Sequence, residues 1–127
     1  MSKPTIHRLG ELQLKIMQVL WLAREATVND VLTALKAEKL AYTTIATMLR
    51  KMEVRGLVKH VTEGRVFIYR PMIGEEAVAT SMADHWVEKL FSGSLSEAVS
   101  HLLTTREVSR KELDELERLI AERKKKS

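Results

Sequence analysis

The chain of 127 residues contains no cysteine. A protein without cysteine has no disulfide framework, no thiolate ligand for a metal ion and no cysteine nucleophile. Long apolar runs are missing too, since no stretch approaches the roughly 18 apolar residues that a membrane-spanning helix requires. The first ten residues, MSKPTIHRLG, contain no apolar signal core. We therefore expect a cytoplasmic protein with no membrane insertion.

Motifs for catalysis and for metal binding are also missing from the sequence. There is no GxSxG nucleophile turn, phosphate-binding loop or glycine-rich nucleotide motif. No pair of histidines has a ligand spacing such as HxxxH, which argues against a zinc site. The four histidines are His7, His60, His85 and His101. The sequence predicts no catalytic residues, no metal and no cofactor.

Basic residues are concentrated in the first part of the chain. Residues 1–73 contain 12 Lys and Arg against 6 Asp and Glu, whereas residues 74–127 contain 9 against 11. A basic front half joined to a nearly neutral back half is typical of a nucleic-acid-binding unit attached to a region with another task. Many small cytosolic domains are mildly basic, so charge alone leaves the function open.

The front half has the order helix, helix, helix, hairpin. Apolar spacing predicts a first helix over residues 9–24, and a capping box from Thr27 to Asp30 begins a second helix that runs to about residue 36. A third helix runs from residue 41 or 42 to Gly56, without a good N-cap. Strands over 57–62 and 66–70 are joined by a tight loop at 63–65. This order predicts a winged helix-turn-helix.

The third helix has one apolar and one polar face. Its inward stripe is Ile45, Met48, Leu49 and Met52. Small residues near the start of the outward face would allow close approach to bases, and the cations further along would reach phosphates. A face that is merely exposed to solvent favours the same residue types. The hairpin that follows the helix makes DNA binding the preferred interpretation. The outward residues are Thr43, Thr44, Ala46, Thr47, Arg50 and Lys51.

The hairpin predicts a wing that lies along the phosphate backbone. Arg65 is at its tip and is the best candidate for a wing contact, and His60 on the first strand is a second candidate. Phe67 and Tyr69 alternate with Val66 and Ile68, so at least one face of the hairpin must pack on the helices. We expect both Phe67 and Tyr69 to lie in the core.

The back half predicts three helices without enough mass for a core of their own. The helices cover 75–91, then 95–103 after a capping box at Ser94, then 110 onward after a capping box at Ser109. A unit of 54 residues rarely holds itself together, so its apolar stripes need a partner. The N-terminal domain could supply one, but a second copy of the chain is the better candidate. The predicted shared core is Met82, Trp86, Leu90, Leu102, Leu103, Leu113, Leu116 and Ile120.

The expected fold class is therefore mainly α with a small β-hairpin. A winged helix-turn-helix domain over residues 1–73 would be followed by a C-terminal helical dimerisation region over 74–127.

Nearly end to end, the chain resembles the BlaI/MecI/CopY family of bacterial penicillinase-type repressors. The resemblance is carried by LGELQLKIMQVLW (9–21), TTIATMLRKMEVRGLVKH (43–60), VFIYRP (66–71), FSGSLSEAVSHLL (91–103) and SRKELDELERLI (109–120). The family's recognition-helix pattern T-[IV]-x-T-x-[IL]-x-[RK]-[LM] is matched by Thr44, Ile45, Thr47, Leu49, Lys51 and Met52. The element that follows is matched by Gly56, Val58 and His60.

The resemblance implies a homodimer whose winged helices bind palindromic double-stranded operator DNA and whose C-terminal helices pair. Genes repressed in this way include β-lactamase, its membrane sensor-protease, and copper-handling or other stress genes. Copper sensing in the family uses a C-terminal cysteine site, which this chain lacks. In the antibiotic-responsive branch a protease cuts an Asn-Phe bond, and the aligned pair here is His101-Leu102. Cleavage at that bond, by a membrane sensor-protease, is a hypothesis.

The sequence thus predicts a homodimeric transcriptional repressor, with two alternatives from other classes. One is a winged helix used as a protein-interaction module, which acidic or bulky apolar residues on the outward face of the third helix would favour. The other is a MarR-like regulator that senses a small molecule at its dimer interface.

Overall fold

The computed structural model describes residues 9–127. Six α-helices and one antiparallel hairpin occur in this part of the chain, which confirms the expected mainly-α fold class. A short 3₁₀ turn, Lys36–Glu38, lies in the predicted connector between the second and third helices. The elements are α1 (Glu11–Ala23), α2 (Val28–Ala34), α3 (Tyr42–Val54), β1 (Val58–Glu63), β2 (Val66–Pro71), α4 (Glu75–Phe91), α5 (Leu95–Thr105) and α6 (Arg110–Lys125).

Within the described residues the chain forms two compact units, 9–85 and 86–127. The first half of α4 belongs to the first unit because Val78 is fully buried there and Met82 packs against the same core. The indole N–H of Trp21 also donates to the carbonyl of Ile73, 2.9 Å away, just before α4. The domain boundary after residue 73 stays a prediction.

The core of the first unit is built from the apolar stripes of α1, α2 and α3. Ile45, Leu49 and Met52 are fully buried and Met48 is half-buried, so the inward stripe of the third helix is confirmed. This stripe follows the spacing that places side chains on one face of a helix. The other large, fully buried side chains in this unit are Ile16, Met17, Leu20, Val31, Leu57, Val58 and Val78.

A Schellman motif ends α3 and directs the chain into the hairpin. Gly56 has a φ of 79°, a left-handed conformation that glycine adopts without a steric penalty. Its N–H donates to the carbonyl of Glu53, and the N–H of Leu57 donates to the carbonyl of Met52, each at 2.9 Å. The predicted glycine stop is confirmed. Ala41 precedes the helix without a side-chain cap, as expected.

The hairpin pairs β1 with β2 in a register from Val58↔Pro71 to Glu63↔Val66, leaving a two-residue turn at Gly64-Arg65. At the base of the hairpin Ala26 forms a one-residue bridge to Tyr69, with backbone bonds of 3.0 and 2.8 Å. This third partner fastens β2 to the segment between α1 and α2.

The second unit contains the end of α4 together with α5 and α6. Ser94 and Ser109 cap α5 and α6 by accepting bonds from the N–H groups of Glu97 and Glu112, at 3.1 and 3.0 Å. Of residues 86–127, all of which the structure describes, Ala98 alone is buried. This unit therefore has secondary structure and helix caps but almost no core within one chain.

Candidate nucleic-acid interface

The outward face of α3 carries the residues that the sequence singled out. Thr43, Thr44, Thr47, Arg50 and Lys51 are exposed. Ala46 is half-buried and packs against the core, so no long side chain projects from the helix at this position. The side chains near the start of the helix are short, and two long cations follow them. The backbone of α3 can therefore come close to an external binding partner.

Contacts from α1 hold α3 in place from behind. The side-chain amide of Gln13 donates to the sulfur of Met48 at 3.4 Å, and its oxygen accepts from the guanidinium of Arg55 at 3.0 Å. The same oxygen accepts from the N–H of Gly10 at 3.1 Å. Gln13 thus links the start of α1 to both the middle and the end of α3. These bonds lie on the side of α3 away from its exposed face.

A groove of about 360 Å³ lies between α2, α3 and the hairpin. Three of the predicted DNA contacts, Ala46, Arg50 and Arg65, line it together. Arg50 enters from α3 and Arg65 from the hairpin turn, so the groove has a cation from each element. The remaining lining residues are Thr27, Val28, Asn29, Tyr42, Val66, Phe67 and Tyr69.

Three cations of this surface form no ion pair with a carboxylate of the described part of the chain. Within residues 9–127, no carboxylate lies within ion-pair distance of Arg50, Lys51 or Arg65. Arg70, on the opposite face of the hairpin from Tyr69, is instead paired with Glu25 at 3.0 Å. Arg50, Lys51 and Arg65 are therefore available to an external anion.

Tyr69 closes the floor of the groove. Its side chain is 4% exposed, which confirms its predicted place in the core. Burial raises the pKa of its hydroxyl, and the negative charge of Glu53 adds to this, while the positive charge of Arg50 opposes it. The phenol is therefore neutral throughout the physiological range.

Phe67 departs from its predicted place, because its side chain is 46% exposed rather than packed in the core. Phe67 and Tyr69 lie on the same face of β2, but the hairpin extends beyond the helices, so only Tyr69 reaches the core. The ring of Phe67 stacks on that of His60, with centroids 4.0 Å apart. His60 is half-buried, and its Nδ1 lies 2.7 Å from a carboxylate oxygen of Glu53.

The predicted dimer residues lie on three helices. Met82, Trp86 and Leu90 are on α4, with Met82 in the first unit and the other two in the second. Trp86 is 46% exposed and Leu102 is 47% exposed. The rest of the predicted set is Leu103 on α5 and Leu113, Leu116 and Ile120 on α6.

An open groove of about 190 Å³ lies between α5 and α6 in the second unit. Its apolar lining comes from Val99, Leu102, Leu103 and Leu116, together with Val108 in the connection. The salt-bridged residues of α6, where Arg118 pairs with Glu115 and with Glu122, follow the polar face of that helix. The Arg118 guanidinium lowers the pKa of the Glu115 carboxyl. The exposed apolar face is thus continuous between two helices.

The candidate cleavage pair, His101 and Leu102, lies in the middle of α5. Both side chains are exposed, and the imidazole of His101 contacts the ring of Phe91 at a centroid distance of 5.6 Å. A protease that binds its substrate in an extended form needs local unwinding of α5 before it can reach this bond.

Seven of the ten groove residues were not predicted to contact DNA, among them Asn29, Tyr42 and Phe67. Tyr42 is the first residue of α3, so its position on the outward face near Thr43 was a usable signal. Asn29 had no such signal, because it belongs to α2 and enters the groove only through the packing of α2 on α3.

In the part of the chain from residue 9 onward, no three His, Asp or Glu side chains are grouped so that they could hold a metal ion. His7 lies outside the described residues. Among the described helices, none combines the length and apolarity needed to cross a membrane.

Comparison with known proteins identifies close relatives over most of the chain. A family model described as the penicillinase repressor matches residues 9–122. The penicillinase repressor of Bacillus licheniformis is 29% identical over 120 residues, which is 94% of each chain. The transcriptional regulator BlaI of Mycobacterium tuberculosis is 37% identical over 118 residues, which is 91% of this chain and 84% of that one.

Several solved structures match part of the chain. Among them is the solution structure of the DNA binding domain of the repressor BlaI, with a TM-score of 0.51 and 36% sequence identity. The match covers 59% of this chain and 90% of that one. The winged-helix assignment of the first unit therefore agrees with an experimental structure of similar sequence.

Proposed function

The chain belongs to the penicillinase repressor family, and from this membership we propose that it is a cytoplasmic transcriptional repressor that binds double-stranded operator DNA as a homodimer. The names of the relatives favour genes of β-lactam resistance as its targets. The observation that carries the proposal is the pair Arg50 and Arg65, two unpaired cations from different elements that line one groove beside the threonine face of α3.

α3 is the element that we propose to read bases. Its exposed threonines can donate or accept at base edges and can offer a methyl group to thymine, and Ala46 permits close approach. Arg50 and Lys51, on α3, would bind phosphates on one side of the protein's groove, and Arg65, on the hairpin, would bind them on the other side. The one carboxylate of α3, Glu53, is hydrogen-bonded to the backbone N–H and ring of His60.

Pairing of two chains is the second part of the proposal. The second unit buries only Ala98 among residues 86–127, while its large apolar side chains are exposed on α4, α5 and α6. Isolated units of this size and exposure are not stable. Covering these faces with a second copy would complete the core and would place two reading helices on the two halves of a palindrome.

Release by proteolysis is the third part. We propose the His101-Leu102 bond as the site, cut by a membrane sensor-protease, because a break there would separate α6 from the rest of the chain. The DNA-reading unit would stay folded, whereas the pairing surface would be divided.

The DNA-binding proposal is tested with a duplex from the promoter of the chain's own gene, located by footprinting, and a scrambled duplex of equal composition. The wild-type protein should bind the promoter duplex at least a hundredfold more tightly, since specific sites exceed non-specific ones by about 10³ or more. Equal affinity for the two duplexes would contradict a repressor and would favour a protein-interaction module.

Two variants then test the roles of single residues. Arg65→Ala should weaken both duplexes alike and should lower the slope of log K against log salt by about one. Thr47→Ala should change the preference at one base position and leave the slope unchanged. Arg70→Ala is the matched control, because Arg70 is on the same hairpin but paired with Glu25. Wild-type behaviour of both test variants would show that the site is misassigned.

A further inference from the structure

Three side chains link the end of α3 to the hairpin. Glu53, in the last turn of α3, accepts two bonds from His60: one from the backbone N–H at 3.2 Å and one from Nδ1 at 2.7 Å. On its other side the His60 ring stacks on Phe67, with an interplanar angle of 15°. Phe67 in turn lines the groove beside Arg65. A path of direct contacts therefore runs from the reading helix to the wing.

The hairpin needs such a link because its core contacts stop early. Val58 and Tyr69 are buried at its base, where the Ala26 bridge also holds it, but residues 61–67 are all exposed. A two-stranded hairpin has little stability of its own in water. His60 lies opposite Tyr69, and its stacking on Phe67 is the next ring contact toward the tip. The rings of His60 and Phe67 lie on the same face of the hairpin as Tyr69, the face that meets the helices.

A carboxylate is electrostatically unfavourable at the position of Glu53, for two reasons. A carboxylate in the last turn of a helix meets the negative end of the helix dipole. On a helix that reads DNA it also faces the phosphates. Both effects disfavour Glu53 unless it is engaged, and His60 engages it with a ring nitrogen and a backbone N–H. Holding the wing is a role that explains a carboxylate at this place.

We propose that Glu53 and His60 are positioning residues, which hold Phe67 and thereby Arg65 at the groove, and that His60 itself contacts no phosphate. This inference rests on the proposed function and changes the role given to His60 by the sequence. His60 acts through Arg65, so removing either residue should abolish the same wing contact.

A double-mutant cycle on the full-length protein tests this, with the footprinted promoter duplex as the probe and salt slopes measured at one fixed pH. His60→Ala and Arg65→Ala should each lower the slope by about one, and the double variant should also lower it by about one, not two. Val61→Ala, on the same strand but the opposite face, is the control and should leave the slope at its wild-type value.

Two results would overturn the inference. A double variant that loses about two units of slope would make His60 an independent phosphate contact. A His60→Ala protein with an unchanged slope would show that the contacts of Glu53, His60 and Phe67 do not position Arg65. If His60→Ala fails to fold, Glu53→Ala replaces it in the same cycle, since it removes the oxygens that accept from His60 and should lower the slope by the same amount. Failure of the wild-type protein to prefer its promoter would refute the proposed function instead.

Discussion

Gly56, which ends α3, offers a quantitative test of how the reading helix is joined to the wing. In Gly56→Ala the new Cβ has open space, with no atom within 4 Å, so the cost comes from the φ of 79° alone. A left-handed conformation costs a residue with a Cβ roughly 1–2 kcal/mol. For a unit of this size, that would lower the melting temperature by about 4–8 °C for each kcal/mol.

Thermal melting and urea unfolding of the full-length protein, at one protein concentration, provide the assay. Gly74→Ala is the matched control: it also has open space but no positive φ. In Gly74→Ala, the small loss of helix-capping stability at the start of α4 should be offset by the lower conformational entropy of the unfolded chain. The net change in the free energy of unfolding should therefore stay within about 0.5 kcal/mol. Gly56→Asn should recover part of the loss, because asparagine tolerates this conformation. Equal stabilities of Gly56→Ala and Gly74→Ala would refute the reasoning.

Two further predictions concern the second unit. Ile120→Lys, on the apolar face of α6, should convert the dimer to a monomer in analytical ultracentrifugation, whereas Asp114→Lys on the polar face should leave it dimeric; a dimeric Ile120→Lys protein would contradict the proposed interface. Co-expression with an activated cognate sensor-protease should produce fragments ending at His101 and beginning at Leu102, identified by mass spectrometry, with loss of operator binding. An intact chain in that experiment would count against cleavage.

Helix and strand positions were predictable from the sequence because several local signals agreed. In α3, the apolar stripe of Ile45, Leu49 and Met52 and the stop at Gly56 both depend on residues close together in the chain. The start of α2 is similar, since the hydroxyl of Thr27 accepts from the N–H of Asp30 while the Asp30 carboxylate accepts from the N–H of Thr27. Such signals need no knowledge of tertiary structure.

What could not be predicted depended on distances between elements. Alternation along β2 assigned Phe67 and Tyr69 to one face, but it could not reveal that the helices end before Phe67. The Ala26 bridge to Tyr69 is invisible for the same reason, since a single extended residue leaves no periodic pattern. The positioning role that we propose for His60 depends on its contact with Glu53, which the sequence does not reveal. A histidine near DNA and a histidine that holds a wing have the same sequence signature.

In the proposed function, the division of the chain into two units would allow the protein to release DNA without a change in its DNA-binding surface. If each copy binds half a palindrome, linking the two copies multiplies their affinity by an effective concentration worth about 10²–10⁴. That gain depends on the second unit, whose only buried residue is Ala98 and whose pairing face is apolar and exposed. A break within α5 would therefore cost most of the operator affinity while Arg50, Arg65 and the threonines of α3 kept their places. Occupancy should then respond to the pairing equilibrium rather than to any change at the groove.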